Sequence, residues 1–255
     1  MIGPWIFVAA LAFAWLNSAL HVLWSDRPMY AVSGPALRAP VSPRRAIVLS
    51  LATVAYLGAL WVWFGSGWPR VGASLVIASL FLLRQWEVRT WPGDMVVRLG
   101  KYAPAAACLL GWLVTASVLP ALGFAEADAL RLGWEGAAGV MAALYVLAAA
   151  SKVQKSGLSW MRYQHQALLI AERAYSGPGW VRAARRWTSR RPRLCAAIGV
   201  LGFGAELAFG LYVFPGARVP LTAFVLGLHV SIMVLLGYVE PEWILAMVGI
   251  TVVTA

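Results

Sequence analysis

Long apolar runs broken by short basic segments give this chain its pattern. Eight runs, at 2–24, 46–68, 71–86, 103–124, 136–152, 194–214, 219–238 and 242–253, read as helices. A run of about 20 apolar residues is long enough to cross a hydrocarbon core of about 30 Å. The third, fifth and eighth runs are short enough to be partial or re-entrant. Runs 46–68 and 71–86 are separated only by Pro69 and Arg70 and read as a helical hairpin. Segment 158–175 reads as an interfacial amphipathic stretch. The expected fold is all-α: one membrane domain over 1–255, a polytopic bundle of about eight transmembrane or partial helices. No basic residue precedes the first run and no small-residue cleavage site follows it, so it reads as a retained helix and not a signal peptide.

Composition sharpens this reading. Of 255 residues, 61% are apolar or aromatic and 12% charged, against about 25% charged in soluble domains. So little charge cannot cover a water-facing exterior, which excludes soluble and disordered classes. The net charge of +11 would suggest nucleic acid on a soluble domain, but here the basic residues lie between apolar runs, where they set membrane orientation and no nucleic-acid partner is expected. Cys108 and Cys195 sit in separate runs without metal or redox spacing and read as buried small hydrophobes, so no metal is expected.

All of the 21 basic residues except Arg70, Arg131 and Arg218 fall in three loops, 25–45, 84–101 and 151–193. With eight helices those loops share one side, and the opposite side carries Glu126, Asp128 and Glu135. By the positive-inside rule the basic side is cytoplasmic. The chain is then a multi-pass inner-membrane protein with its N-terminus outside and the bilayer as its first partner. Trp86, Trp91, Trp134, Trp160, Trp180, Trp187 and Trp243 sit at run ends, where interfacial aromatics gather. The stretch 181–193, VRAARRWTSRRPR, reads as a polybasic anchor on anionic lipid or as a docking segment.

Ionisable groups inside apolar runs are costly, roughly 2.5–3.5 kcal/mol at a helix centre, and turn towards the bundle interior. Glu206 shares a four-residue repeat with Gly202 and Gly210, a face that lets another helix approach closely. It reads as a packing carboxyl or as a proton acceptor. His229 lies alone in its run and reads as a satisfied hydrogen-bonder or a ligand. Asn17 and His21 share a face of the first helix. Three histidines without paired spacing exclude a di-iron desaturase. In AAASKVQKSGLSW, Lys152, Lys155 or Ser156, and Ser159 share a helix face. Lys152 there is either a snorkelling lysine or a desolvated general base.

The run ending in a small residue and Lys152, followed by a short polar stretch to Trp160, is similar to the signature of the vitamin K-dependent gamma-carboxylase-like family, whose bacterial members are the HTTM (horizontally transferred transmembrane) domain proteins. The arginine-rich linker RRWTSRRPRLC, the helix FGAELAFGLYVFPGAR with Glu206, and the helix with Gly227, Leu228 and His229 resemble that family's later helices. The resemblance covers about 140–250. It implies a multi-helix membrane fold. In the carboxylase branch it also implies a reduced naphthoquinone as lipid quinone cofactor, with Lys152 matching the lysine base; Glu206 and His229, costly groups in apolar runs, are expected to line the same cavity as further candidate catalytic residues. A second expectation is non-catalytic: an accessory subunit of a larger membrane complex, or the partner of a membrane protein or peptide.

Overall fold

Prolines open most of the helices, because a first-turn residue needs no backbone N–H bond. The computed structural model describes residues 43–65, 67–89, 110–175, 177–237 and 241–254. It also describes Trp5, Ile6, Val8, Ala9, Leu11, Ala12, Trp15, Leu16 and Ala19 of the first run. The described helices are α1 (Pro43–Trp63), α2 (Trp68–Arg89), α3 (Leu110–Ala121), α4 (Glu126–Ser156), α5 (Tyr163–Glu172), α6 (Gly179–Ser189), α7 (Pro192–Ala208), α8 (Pro215–Leu236) and α9 (Pro241–Thr254). Two 3₁₀ turns, Gly157–Met161 and Phe209–Val213, extend α4 and α7. The described residues contain no strand. Four helices are long and apolar enough to cross a membrane: Ala46–Trp63, Glu126–Met161, Pro192–Val213 and Pro215–Leu236. The described residues are therefore all-helical in their regular structure, with apolar helices suited to a membrane. The chain forms two compact units, Met1–Gly133 and Trp134–Ala255.

Two boundaries differ from the sequence reading for identifiable reasons. The expected hairpin turn at Pro69 and Arg70 lies earlier: α1 stops at Trp63, and Pro69 is the second residue of α2. The fifth run, expected over 136–152 and short, belongs to a helix of 31 residues that starts at Glu126. Charge ended the apolar run but not the helix. Glu126 and Asp128 occupy its first turn and Lys155 its last, each at the end where the helix dipole favours that sign.

In the first unit a polar chain fastens α1, α2 and α3. Trp63 Nε1 donates to Ser117 Oγ at 2.8 Å, and Ser117 and Ser74 hydroxyls lie 2.6 Å apart. Trp63 tilts against Trp112, and the Arg70 guanidinium lies 4.4 Å from the Trp63 ring centroid. Arg70 also pairs with Glu126 at 2.7 Å, and Arg131 with Asp128 at 3.5 Å.

In the second unit, two buried arginines hold the ends of α8. Near its start, fully buried Arg218 donates from Nε to Tyr212 O (3.1 Å) and from Nη2 to Val213 O (3.2 Å). It also grips the Glu135 carboxylate with both Nη atoms, at 3.2 and 2.5 Å. Near its end, Arg185 of α6 donates to Val234 O and to Arg173 O, both at 2.8 Å. Those carbonyls close α8 and α5, where a cation complements the helix dipole. The hydroxyls of Tyr212, Thr222 and Thr251 link α8 and α9, with Tyr212–Thr251 at 2.7 Å and Thr222–Thr251 at 2.6 Å.

Arg218→Met should cost about 2 kcal/mol, because two backbone carbonyls lose their donor in a dry setting. Glu135 is 47% exposed, and Glu135→Gln keeps an amide oxygen for the guanidinium and leaves both carbonyl bonds in place, so it should cost less, about 1 kcal/mol. Thermal unfolding in detergent should reproduce that order. A larger loss for Glu135→Gln would show that the carboxylate, and not the guanidinium, holds this end.

Candidate functional site

The site grows from three helices of the second unit. In α4, Tyr145 and Lys152 are seven residues apart, two turns, and so share a face. From that face Lys152 reaches across to α7. Its ammonium meets the Glu206 carboxylate of α7, contacting both oxygens. The side chains are 22% and 17% exposed, so the pair is largely removed from solvent. Glu206 was expected to face protein, and it does. On either side of it, a Cβ at Gly210 would come within 3.1 Å of Val146, and one at Gly202 within 3.9 Å of Leu228. The small-residue face is therefore packed against α4 and α8.

His229 is buried and joined to Tyr145, Nε2 to hydroxyl, at 2.8 Å. Tyr145 packs against Phe209 at 4.3 Å and Trp243 at 5.4 Å between ring centroids. The structure thus brings Lys152 to Glu206, and His229 to Tyr145 two turns along α4. The site has two neighbouring polar pairs where the sequence reading expected three side chains around one cavity.

The 3₁₀ turn completes the surroundings of Lys152. Gly157, at φ 57°, breaks α4, and Trp160 then lies with its ring centroid 5.3 Å from Lys152 Nζ. The His165 ring lies 4.4 Å from the same indole. Its Nε2 is buried and has no hydrogen-bond partner among the described residues. The turn sits tightly on α7: a Cβ on Gly199 would come within 3.1 Å of both Met161 Cα and Trp160 O. Gln166 of α5 donates to that same carbonyl at 2.9 Å. Segment 158–175 is therefore split between this turn and α5, whose Gln166 and Ile170 are buried.

The turn also corrects the expected face. Ser159 lies beyond the end of α4, where its hydroxyl donates to Ser156 O, and Lys155 is exposed. Trp134, expected at an interface, is buried. Cys195 is buried as expected, donating to Thr188 O at 3.2 Å. Asn17, His21 and Cys108 lie outside the described residues. Tyr145 and His165 were missed from the sequence. A tyrosine in an apolar run costs too little to stand out, and His165 reaches the site only because Gly157 turns the chain.

The chain matches no family model, no curated protein and no solved structure.

Chemically, the arrangement holds an ammonium against a carboxylate beside an indole face and an imidazole nitrogen with open hydrogen-bonding capacity. Its register depends on Gly199. Gly199→Ala pushes a methyl into backbone and should destabilise the protein by about 1–3 kcal/mol. Gly204→Ala on the same helix meets nothing within 4 Å and should be neutral or stabilising by up to about 1 kcal/mol. Paired thermal melts check this, and equal effects at both positions would contradict the close approach of α7 to the turn.

Proposed function

We propose that the chain is an HTTM-like, multi-pass inner-membrane protein whose Lys152–Glu206 pair is the acid–base centre of a quinol-coupled, gamma-carboxylase-like enzyme. The observation that carries this reading is the meeting of Lys152 with Glu206, 54 residues apart in sequence, inside apolar packing. Both residues lie in the segment that resembles the family. About eight passes with the N-terminus outside remain the proposed topology. Its support is the distribution of basic residues: the proposed outer side holds only Arg70, Arg131 and Arg218, and the other 18 lie in the three loops of the opposite side, the bias that the positive-inside rule reads.

The residues fit a flat ring bearing oxygen atoms. Trp160 offers a ring face, Lys152 a cation, and His165 Nε2 a buried polar atom with no hydrogen-bond partner among the described residues. A reduced naphthoquinone bound there would supply reducing equivalents. The chain's own residues would orient it and hold the protons. Lys152 can pass a proton to Glu206 without that proton leaving the bundle, and the freed amine can then accept one. His229, held by Tyr145, positions the neighbouring level of α4.

A second reading, a non-catalytic accessory subunit of a larger membrane complex, is favoured by one observation. Lys152 and Glu206 complete each other, and His229 and Tyr145 do the same. Groups satisfied within the chain need no ligand.

Native mass spectrometry of the gently extracted protein, with identification of bound lipids, separates the two. The enzyme reading expects a lone chain or homo-oligomer retaining a quinone, and a loss of quinol turnover of at least about 100-fold in Lys152→Ala. Co-extraction with other subunits in fixed ratio, with no quinone bound, would overturn it in favour of the subunit.

A further inference from the structure

Between Glu172 and Glu206 the chain has no acidic residue, yet it carries Arg173, Arg182, Arg185, Arg186, Arg190, Arg191 and Arg193. Arg185 is consumed by the fold. It lies on the buried stripe of α6 with Val181 and Thr188 and closes α5 and α8 through their carbonyls. By contrast, the five from Arg182 to Arg193 other than Arg185 are exposed, and none forms an ion pair among the described residues.

Helical spacing sorts what α6 presents. Trp180 and Trp187, seven apart, lie on one flank of the buried stripe and are 65% and 55% exposed. Arg182 and Arg186, four apart, lie on the other flank, and Arg190 continues their row. The Arg191 guanidinium lies 3.8 Å from the Trp187 ring centroid. An aromatic flank opposite a basic flank is the arrangement of a helix lying in a bilayer surface, with rings at the acyl boundary and cations among headgroups. The location agrees, since Pro192 begins a helix apolar and long enough to span. That helix has no acidic residue in its first turn and no side-chain cap. Clustered cations there oppose the helix dipole until an anion joins them.

From this we infer that α6 and the start of α7 form a binding surface for anionic phospholipid headgroups. Charge complementarity selects anionic lipid, and the exposed tryptophans select a membrane surface over an acidic protein segment. The consequence goes beyond anchoring. Arg185 connects the buried side of α6 to the ends of α5 and α8, so lipid held on the exposed side stabilises the second unit. The inference rests on the membrane placement of these helices and not on any chemistry at Lys152.

The test is thermal unfolding of the full chain in detergent micelles doped with phosphatidylglycerol or phosphatidylcholine. Phosphatidylglycerol should raise Tm by about 5 °C at saturation, and phosphatidylcholine should not. The triple variant Arg182→Gln, Arg186→Gln, Arg190→Gln should keep its lipid-free Tm and lose that rise. Soluble glycerol phosphate should have no effect, because it lacks the acyl boundary the tryptophans occupy. Equal responses to the two lipids, a full rise in the triple variant, or a full rise from glycerol phosphate would each overturn the inference. The comparison of lipids on the unaltered protein stands even if the variant fails to fold.

Discussion

A charge inside an apolar helix bundle must find its counter-charge within the chain, since neither lipid nor water is there to supply it. The second unit is arranged around that constraint. The longest described helix, α4, carries Glu135, Tyr145 and Lys152, and each meets a partner from another element: Arg218 of α8, His229 of α8 and Glu206 of α7. Buried apolar contact gives little directional information between helices in lipid, where the tails are as apolar as leucine. Polar pairs give register. Each of these couples α4 to α7 or α8 at a definite level, and a slip of one turn would strand a charge.

The same constraint shapes the ends. Arg218 and Val234 are separated by about 24 Å of helical rise along α8, close to the thickness of a hydrocarbon core. Arginine suits both ends because its planar fork can serve several carbonyls at once and keeps its charge. Lysine could not replace it there without leaving carbonyls bare. At Lys152 the geometry is the reverse: one carboxylate, one compact ammonium, and room for a proton to change sides.

How much of this was legible in the sequence depends on what each residue costs. Glu206, Lys152 and His229 stood out because ionisable groups in apolar runs are expensive, and all three have buried or part-buried partners. Tyr145 carried no such signal, and Trp160 looked like an interfacial residue. His165 could not be placed without the turn at Gly157, since linear spacing along a helix no longer applies across a 3₁₀ break. The start of α4 was hidden because the apolar run begins only after Glu135, nine residues into the helix. Capping and dipole logic at Glu126 and Asp128 would have recovered it. The resemblance that assigned a role to Lys152 concerns chemistry, which backbone and packing alone do not carry.

Lys152 and Glu206 are bound to each other inside the second unit. A double-mutant cycle with Lys152→Met, Glu206→Gln and the combined variant, read by thermal unfolding in detergent, tests that pairing most directly. Each single change should destabilise the protein more than the double change does, because each leaves one largely buried partner uncompensated. A coupling energy of about 1–3 kcal/mol should result. Additive losses, with the double variant as unstable as the two singles together, would contradict the pairing.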